Sequence, residues 1–271
     1  MAHDGRDEIP PAMILCGGQG TRLRDVSEVL PKPMVPVGNQ PILWHIMKTY
    51  AAFGVRRFIL CLGYKRETII DYFLNYRSHA CDLTVRLGPN GGVAYHGSHA
   101  EEDWEVVLAD TGERAMTGCR VARAVRHLRA SDQRFFLTYG DGVADIDVTA
   151  LRERHQAAGK TITVTAVHPA SRFGELHLDG DTVTGFHEKP QTEAGLINGG
   201  YMVVEREFVS RYLKDDENLI LEQEPMRSAT RDGGMAAYVH HGFWQCMDTL
   251  REYQLLNQLW AGGNAPWTKR W

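Results

Sequence analysis

The fold of this chain is decided by the sequence AMILCGGQGTR at residues 12–22. Ala12 to Cys16 form a short apolar run, and Gly17-Gly18 directly after it is typical of a tight turn, so the pattern predicts a buried strand that leads into a loop. In doubly wound sheets, ligands bind beyond the carboxyl ends of the strands. Glycines let backbone N–H groups approach phosphate oxygens closely, and Arg22 adds a cation with several donors. The glycines alone are equally consistent with a plain strand–helix turn.

Strand and helix patterns alternate after this stretch. Buried strands are predicted at 58–62, 104–108, 134–139 and 161–167, and helices at 41–52, 67–76, 117–128 and 148–158. This βαβ alternation predicts an α/β fold with a parallel sheet and right-handed crossovers. From about residue 170 the pattern changes, with predicted short strands at 175–178, 182–187, 197–204 and 236–240 and predicted helices at 220–231 and 249–260. We therefore expect one domain with an inserted or appended β-rich lobe.

The composition excludes several classes of protein. Lys plus Arg number 30 and Asp plus Glu 34, which gives a formal charge of −4 and argues against nucleic acid as a partner. The apolar stretches are too short to span a membrane, and the polar residues 1–11, interpreted as a flexible tail, contain no signal-peptide core. The five cysteines contain no CxxC pair, which indicates a reducing cytoplasm and no zinc site.

Three further positions carry candidate charges for a phosphate or metal site. Lys32 lies between two prolines on a stiff segment that could point it at an anion, although a lone lysine in a loop is usually solvated. Asp141 follows an apolar strand and is flanked by glycines, which suits Mg²⁺ and equally suits an ordinary Asp-Gly turn. Asp248 is interpreted as a second Mg²⁺ ligand, as the N-cap of the helix at 249–260, or as both.

Other reactive patterns favour structural roles. The twelve histidines form no HxH or HExxH arrangement, and no GxSxG nucleophile elbow is present. Glu188-Lys189 is consistent with a surface ion pair. Asp145 and Asp147 are expected to cap the helix that follows them.

Taken together, these segments resemble the sugar-1-phosphate nucleotidylyltransferases. The shared pattern is LxGGxGTRL at 15–23, KPM at 32–34, GDG at 140–142, EKP at 188–190 and WxxxDT at 244–249. The resemblance covers about residues 12–267 and is strongest to the cytidylyl branch, through the stretches at 41–47, 110–118, 139–145, 197–200 and 242–249. The chain departs from the pattern at Leu30, at Cys119 and at 191–196.

The resemblance implies a fold and a reaction. The implied fold is Rossmann-like, with helices on both faces of a mostly parallel sheet and a smaller β-rich sugar-binding lobe. Residues 12–168 would mainly bind the nucleotide, and residues 169–271 would form the sugar lobe and the C-terminal helices. The implied reaction converts CTP and α-D-glucose 1-phosphate to CDP-glucose and pyrophosphate, with Mg²⁺ as cofactor. The cysteine usage favours a cytoplasmic location. The residues do not fix the oligomeric state, and a homo-oligomer is expected, for which the aromatic C-terminus (Trp260, Trp267 and Trp271) could supply an interface.

Carried over residue by residue, the resemblance also implies roles at the site. Arg22 and Lys32 would be the catalytic residues, and Asp141 and Asp248 the Mg²⁺ ligands. The implied sugar-phosphate ligands are Gly174, Glu188, Lys189 and Asn198. The implied nucleotide ligands are Leu15, Gly17, Gly18, Gly20, Thr21, Arg22, Lys32, Thr111, Gly112, Met116, Thr117, Gly118 and Asp141.

Two other interpretations stay open. The same fold and chemistry could serve another nucleotide (UTP, dTTP or GTP) or another sugar 1-phosphate, and the segment at 110–118, which aligns with the base-contacting loop, would discriminate between them. An inactive regulatory protein that binds nucleotide sugars is the second alternative. Such a protein is expected to lose the arginine, the lysine or a metal aspartate, and this chain keeps Arg22, Lys32, Asp141 and Asp248.

Overall fold

The computed structural model describes residues 9–18, 30–169, 175–187 and 195–271. In chain order its strands are β1 (Ala12–Leu15), β2 (Pro36–Val37), β3 (Gln40–Pro41), β4 (Arg57–Leu62), β5 (Asp82–Arg86), β6 (Gly92–His96), β7 (Glu105–Asp110), β8 (Arg134–Tyr139), β9 (Gly142–Ala144), β10 (Ile162–Val167), β11 (Glu175–Asp179), β12 (Thr182–His187), β13 (Ile197–Glu205), β14 (Met235–His240) and β15 (Trp244–Cys246). The helices are α1 (Ile42–Ala51), α2 (Arg66–Leu74), α3 (Tyr76–Ala80), α4 (Thr117–Ala124), α5 (Val148–Ala158), α6 (Arg206–Tyr212), α7 (Glu224–Arg231) and α8 (Leu250–Ala261).

Seven of these strands form the central sheet, in the order β14-β10-β13-β8-β1-β4-β7. β1 pairs in parallel with β4 and β8, β4 with β7, and β10 with β14. β13 runs antiparallel to both of its neighbours, β8 and β10. The other six strands therefore end at one edge of the sheet, and β13 begins there. The predicted α/β fold with a mostly parallel sheet is confirmed.

Both faces of the sheet are covered because the central strands are apolar on both sides. In β1, Ala12 and Ile14 face one way and Met13 and Leu15 the other, and all four are buried. The first face packs against α1, α5 and α8. The second face packs against α4, α6 and α7. Helices therefore lie on both faces, as the resemblance implies.

The aspartates interpreted as helix caps have different roles. Asp147 caps α5, because its side chain accepts a hydrogen bond from the backbone N–H of Ala150 at 2.9 Å. Asp145 instead pairs with His240 and Lys269. The N-cap of α8 is Thr249, which forms a capping box with Glu252. The interpretation of Asp248 as this N-cap is therefore wrong.

The remaining differences from the predicted elements occur along the whole chain. The short strands β2, β3, β6, β9 and β15 and the helix α3 were not predicted, and the helix expected at 67–76 ends at Leu74. The helix predicted at 220–231 begins only at Glu224, with Pro225 in its first turn. The short helix α6 was not predicted. The sheet takes strands from both sides of residue 168, and β11 and β12 pair as a separate hairpin. The division into a nucleotide part and a sugar part stays a prediction.

No helix in the described ranges has both the length and the apolar character that a membrane span requires.

The C-terminal segment is held against α1 by a buried histidine. His45 donates from Nε2 to the carbonyl of Val37 at 2.9 Å, and its Nδ1 accepts from the indole N–H of Trp267 at 3.2 Å. Trp267 is buried in the same core, so it serves this chain's own packing rather than an interface. Burial lowers the pKa of His45 from 6.5 to about 4, and the ring is neutral at pH 7.

We expect His45 to weaken the fold in acid. The imidazole takes up a proton near pH 6.5 in the unfolded chain but only near pH 4 in the folded chain. Its contribution to the free energy of unfolding is therefore complete above pH 6.5 and is lost as the pH falls to 4, by about 3 kcal/mol at 1.4 kcal/mol per unit. Denaturant unfolding across this range should show a shallower pH dependence for His45→Gln than for the wild type. His79→Gln, a change at an exposed histidine, should keep the wild-type dependence. Identical curves for His45→Gln and the wild type would contradict the prediction.

Candidate active site

The candidate site lies at the edge of the sheet where β1 and β8 end. The two strands are neighbours, with Leu15 opposite Tyr139, so the loop after β1 begins beside Asp141. β15 pairs with β9, and the N–H of Met247 donates to the carbonyl of Asp141 at 2.8 Å, which brings Asp248 to the same place. A cavity of about 300 Å³ opens there. Its lining includes eight residues selected from the sequence: Leu15, Gly17, Gly18, Lys32, Met116, Thr117, Asp141 and Asp248.

Lys32 joins the two aspartates across this cavity. It lies in a 3₁₀ turn, Lys32–Met34, that follows the extended Pro31, and it is only 8% exposed. Its ammonium donates to Asp141 Oδ2 at 2.5 Å and to Asp248 Oδ1. Burial by itself would lower the pKa of Lys32, but the charges and hydrogen bonds of the two carboxylates outweigh it and raise the pKa above its usual value. Lys32 is therefore a fixed cation, and the interpretation of it as a solvated loop lysine is wrong.

The two aspartates suit a divalent cation. Each places an oxygen within hydrogen-bonding distance of the same nitrogen, so their charges converge on one point. Mg²⁺ typically takes one or two carboxylates and completes its coordination with phosphate oxygens and water. In the described ranges, no group of three or more His, Cys, Asp or Glu side chains could hold a metal. An ion at Asp141 and Asp248 would therefore need further ligands from a substrate or from water.

Gly17, which lines the cavity, also has a packing role. A Cβ at this position would lie 2.2 Å from Cζ of Arg120, so the glycine makes room for a buried guanidinium. Arg120 donates to five carbonyl and hydroxyl oxygens, among them Gly17 O at 2.9 Å and Thr111 Oγ1 at 2.9 Å. At Gly18, by contrast, a Cβ would meet open space. Arg120 thus ties the glycine loop to the segment at 110–118.

Arg120 also lines the cavity, although it was not among the residues predicted from the sequence. An arginine next to small and apolar residues, in the stretch TGCRVA at 117–122, was the available signal. Two of its five hydrogen-bond partners, Leu62 and Gly17, lie 58 and 103 residues away in the chain, which no local pattern shows.

The model of the nucleotidyl transferase family matches residues 11–249. The chain belongs to this family. The matched range contains the glycine loop, Lys32, Arg120 and both aspartates, so the site described above lies within the part that the family shares.

Relatives of this nucleotidyl transferase are similar over nearly their whole length. A glucose-1-phosphate cytidylyltransferase of Salmonella typhi is 44% identical over 96% of this chain and 99% of its own. A probable glucose-1-phosphate cytidylyltransferase of Bacillus subtilis is 40% identical over 94% of this chain and 98% of its own. The crystal structure of HddC from Yersinia pseudotuberculosis superimposes with a TM-score of 0.66 at 24% identity, covering 93% of this chain and all of that one. This last similarity shows the fold alone.

The segment at 110–118 of this nucleotidyl transferase is covered by residues 213–223, which connect α6 to α7 and are called the strap below. The backbone N–H of Met116 donates to Glu217 O at 2.8 Å, and that of Gly118 to Leu219 O at 2.9 Å. A Cβ at Gly118 would lie 2.9 Å from Leu219 O, so this position must be small. Thr111 is fully buried and donates to Leu62 O at 2.6 Å. The strap and Arg120 therefore hold this segment in place, and only part of it faces the cavity.

The other residues selected from the sequence are less close to the cavity or lie outside the described ranges. Asn198, at the start of β13, accepts from the N–H of Gly200 at 2.9 Å and hydrogen-bonds the hydroxyl of Tyr139. Gly112 adopts a φ of 93° and its carbonyl accepts from Arg120 at 2.7 Å. Six selected residues lie outside the described ranges: Gly20, Thr21, Arg22, Gly174, Glu188 and Lys189. Their assigned roles stay predictions.

Proposed function

We propose that this nucleotidyl transferase converts CTP and α-D-glucose 1-phosphate to CDP-glucose and pyrophosphate. The observation that carries the proposal is the buried ammonium of Lys32 between Asp141 and Asp248 at a cavity beyond the carboxyl ends of β1 and β8. The choice of cytosine and glucose is supported by the names of the relatives that are 44% and 40% identical to this chain.

The reaction needs charge neutralisation and alignment. A phosphate oxygen of the sugar phosphate attacks the α-phosphorus of CTP, and the bond from that phosphorus to the bridging oxygen of the β-phosphate breaks as pyrophosphate leaves. Both reactants are polyanions, so a site that places fixed positive charge between them lowers the barrier. The attacking phosphate is already ionised near neutral pH, and no general base is required.

The proposed roles follow from where the charges lie. Lys32 would bind the phosphates of the nucleotide, and Gly18 leaves its backbone open to them. Mg²⁺, held by Asp141 and Asp248, would supply positive charge to the phosphates. Arg22 and Lys189 are proposed as further phosphate ligands from the sequence, and Glu188 and Asn198 as ligands of the sugar.

An inactive regulatory protein is disfavoured by the geometry. A chain without catalytic function has no need to hold a buried lysine against two aspartates, because such an arrangement costs desolvation energy.

The cytoplasmic location and the homo-oligomer stay predictions. All five cysteines are free, as a reducing compartment requires.

We expect CTP to outperform UTP by at least about tenfold in kcat/KM. A carbonyl in the segment at 110–118 can accept from the 4-amino group of cytosine, whereas uracil places a second acceptor there. Leaving a buried acceptor unpaired costs about 1–3 kcal/mol, and 1.4 kcal/mol corresponds to one factor of ten. Purine nucleotides should be poorer still, because the larger ring would collide with this segment.

The experiment is a panel of CTP, UTP, dTTP, ATP and GTP with glucose 1-phosphate and Mg²⁺, followed by pyrophosphate release. Galactose 1-phosphate and mannose 1-phosphate with CTP test the sugar in the same assay. A panel led by another nucleotide would overturn the cytidylyl assignment and leave the nucleotidyl transferase family unaffected. No pyrophosphate release with any pair would favour the inactive alternative.

A further inference from the structure

Glu222, in the strap, links two walls of the cavity. Its Oε1 accepts a hydrogen bond from the hydroxyl of Tyr139, at the end of β8, and its Oε2 accepts from the hydroxyl of Thr117, at the start of α4, at 2.7 Å. Tyr139 and Thr117 both line the cavity. They are 22 residues apart in sequence and lie on different elements, so one carboxylate bridges β8 and α4.

The Tyr139 side of this link is rigid. Gly200, with a φ of 80°, leaves space for the ring, because a Cβ there would lie 2.5 Å from Tyr139 Cδ2. The hydroxyl also hydrogen-bonds Asn198. The tyrosine hydroxyl is the donor in its bond to Glu222, because a carboxylate can only accept.

The Thr117 side is held by the strap itself. The hydroxyl of Thr117 accepts from the N–H of Leu221 at 2.9 Å while it donates to Glu222. The backbone of the strap also accepts from the first N–H groups of α4, at Gly118 and Cys119. Glu222 therefore adds a side-chain link from the strap and α4 to the end of β8.

A carboxylate at this place is informative because it has an electrostatic cost. Two hydroxyl donors need two acceptor oxygens, which a carboxylate offers and an amide does not. A negative charge near a cavity for polyanions opposes their binding, so a purely structural link would be better made by neutral groups. We propose that Glu222 is a positioning residue of the nucleotidyl transfer site, which sets the separation of Tyr139 and Thr117 so that the cavity is preformed for the nucleotide. This inference rests on the proposed function.

The test is the kinetics of Glu222→Ala with CTP. Without the link through Glu222, binding of the nucleotide must also order the two walls of the cavity. The free-energy cost of this ordering is present in both the substrate complex and the transition state. We therefore expect KM for CTP to rise about tenfold while kcat changes less than about threefold. Glu222→Gln keeps one acceptor and the packing, and it should give a smaller rise of KM. A residue needed only for folding would instead lower the melting temperature and the amount of active enzyme without changing KM.

A matched control and a double variant separate the remaining outcomes. Glu224→Gln makes the same change at an exposed glutamate two residues along, which pairs with Arg231 and Ser228, and it should leave KM unchanged. Tyr139→Phe should raise KM alone but add little to Glu222→Ala, because the two changes break one link. A KM for Glu222→Ala equal to that of the wild type, a KM for Glu222→Gln no higher than that for Glu224→Gln, or multiplicative effects in the double variant would overturn the proposal. If the wild type makes no CDP-glucose, the proposed function fails. The affinity for CTP alone, measured by calorimetry, then tests the role of Glu222. An affinity of Glu222→Ala equal to that of the wild type would count against this role.

Discussion

Lys32→Ala is expected to lower kcat/KM by roughly 30- to 1,000-fold. The change removes a cation that is held in place before substrate binds, and loss of one such preorganised group typically costs about 2–4 kcal/mol of transition-state stabilisation. The geometry supports this magnitude because the ammonium is only 8% exposed and is held at the cavity by two carboxylates before substrate binds. Pyrophosphate release at saturating Mg²⁺ measures the effect.

The same variant should lose thermal stability in a way that Mg²⁺ reverses. Without the ammonium, the carboxylates of Asp141 and Asp248 lose the cation from which both accept a hydrogen bond. Their mutual repulsion is then less compensated, so the melting temperature in EDTA should fall below that of the wild type. A divalent cation can take the place of the lost charge, and added Mg²⁺ should restore part of the difference.

Lys48→Ala is the matched control for both measurements. Lys48 also pairs with a carboxylate, that of Glu101 at 3.1 Å, but neither residue lines the cavity. This variant should stay within a few-fold of wild-type turnover, and its melting temperature should show no special response to Mg²⁺. Turnover of Lys32→Ala within a few-fold of the wild type would remove Lys32 from the mechanism.

Asp141→Asn is expected to make the enzyme depend on far more Mg²⁺, with a loss of more than about 100-fold at the Mg²⁺ concentration that saturates the wild type. Asparagine keeps the shape of the side chain and removes the charge, and charge stabilisation by a metal ion is worth several kcal/mol. EDTA should abolish the activity of the wild type. The measurement is turnover as a function of Mg²⁺ concentration.

Asp147→Asn makes the same chemical change six residues further along. Asp147 caps α5, and asparagine caps helices about as well as aspartate, so this variant should keep the wild-type Mg²⁺ dependence. A wild type that is fully active in EDTA would refute the metal role of Asp141 and Asp248. An Asp141→Asn enzyme with an unchanged Mg²⁺ dependence would refute it for Asp141 alone.

Elements that are specified by neighbouring residues could be predicted from local patterns. β8 and α5 begin and end where they were expected, at 134–139 and 148–158. The helix is delimited by the Asp147 cap and by Gly159, whose φ of 57° ends it. The glycine loop after the first strand and Asp141 after an apolar strand could likewise be selected as candidate site residues from residue types, and their binding roles stay predictions. The family resemblance added the reaction and the metal, which residue types alone left open.

Contacts between distant parts of the chain could not be predicted in this way. Lys32 meets Asp141 and Asp248 across 109 and 216 residues, and Arg120 fills the space beside Gly17 from 103 residues away. The antiparallel position of β13 between β8 and β10 likewise depends on contacts between distant parts of the chain. Hydrophobic periodicity reports which side of a strand or helix is buried, but the order of strands in a sheet depends on the packing energy of the whole chain. The residue types of this protein therefore reveal which charges are available, whereas the folded sheet decides which of them meet.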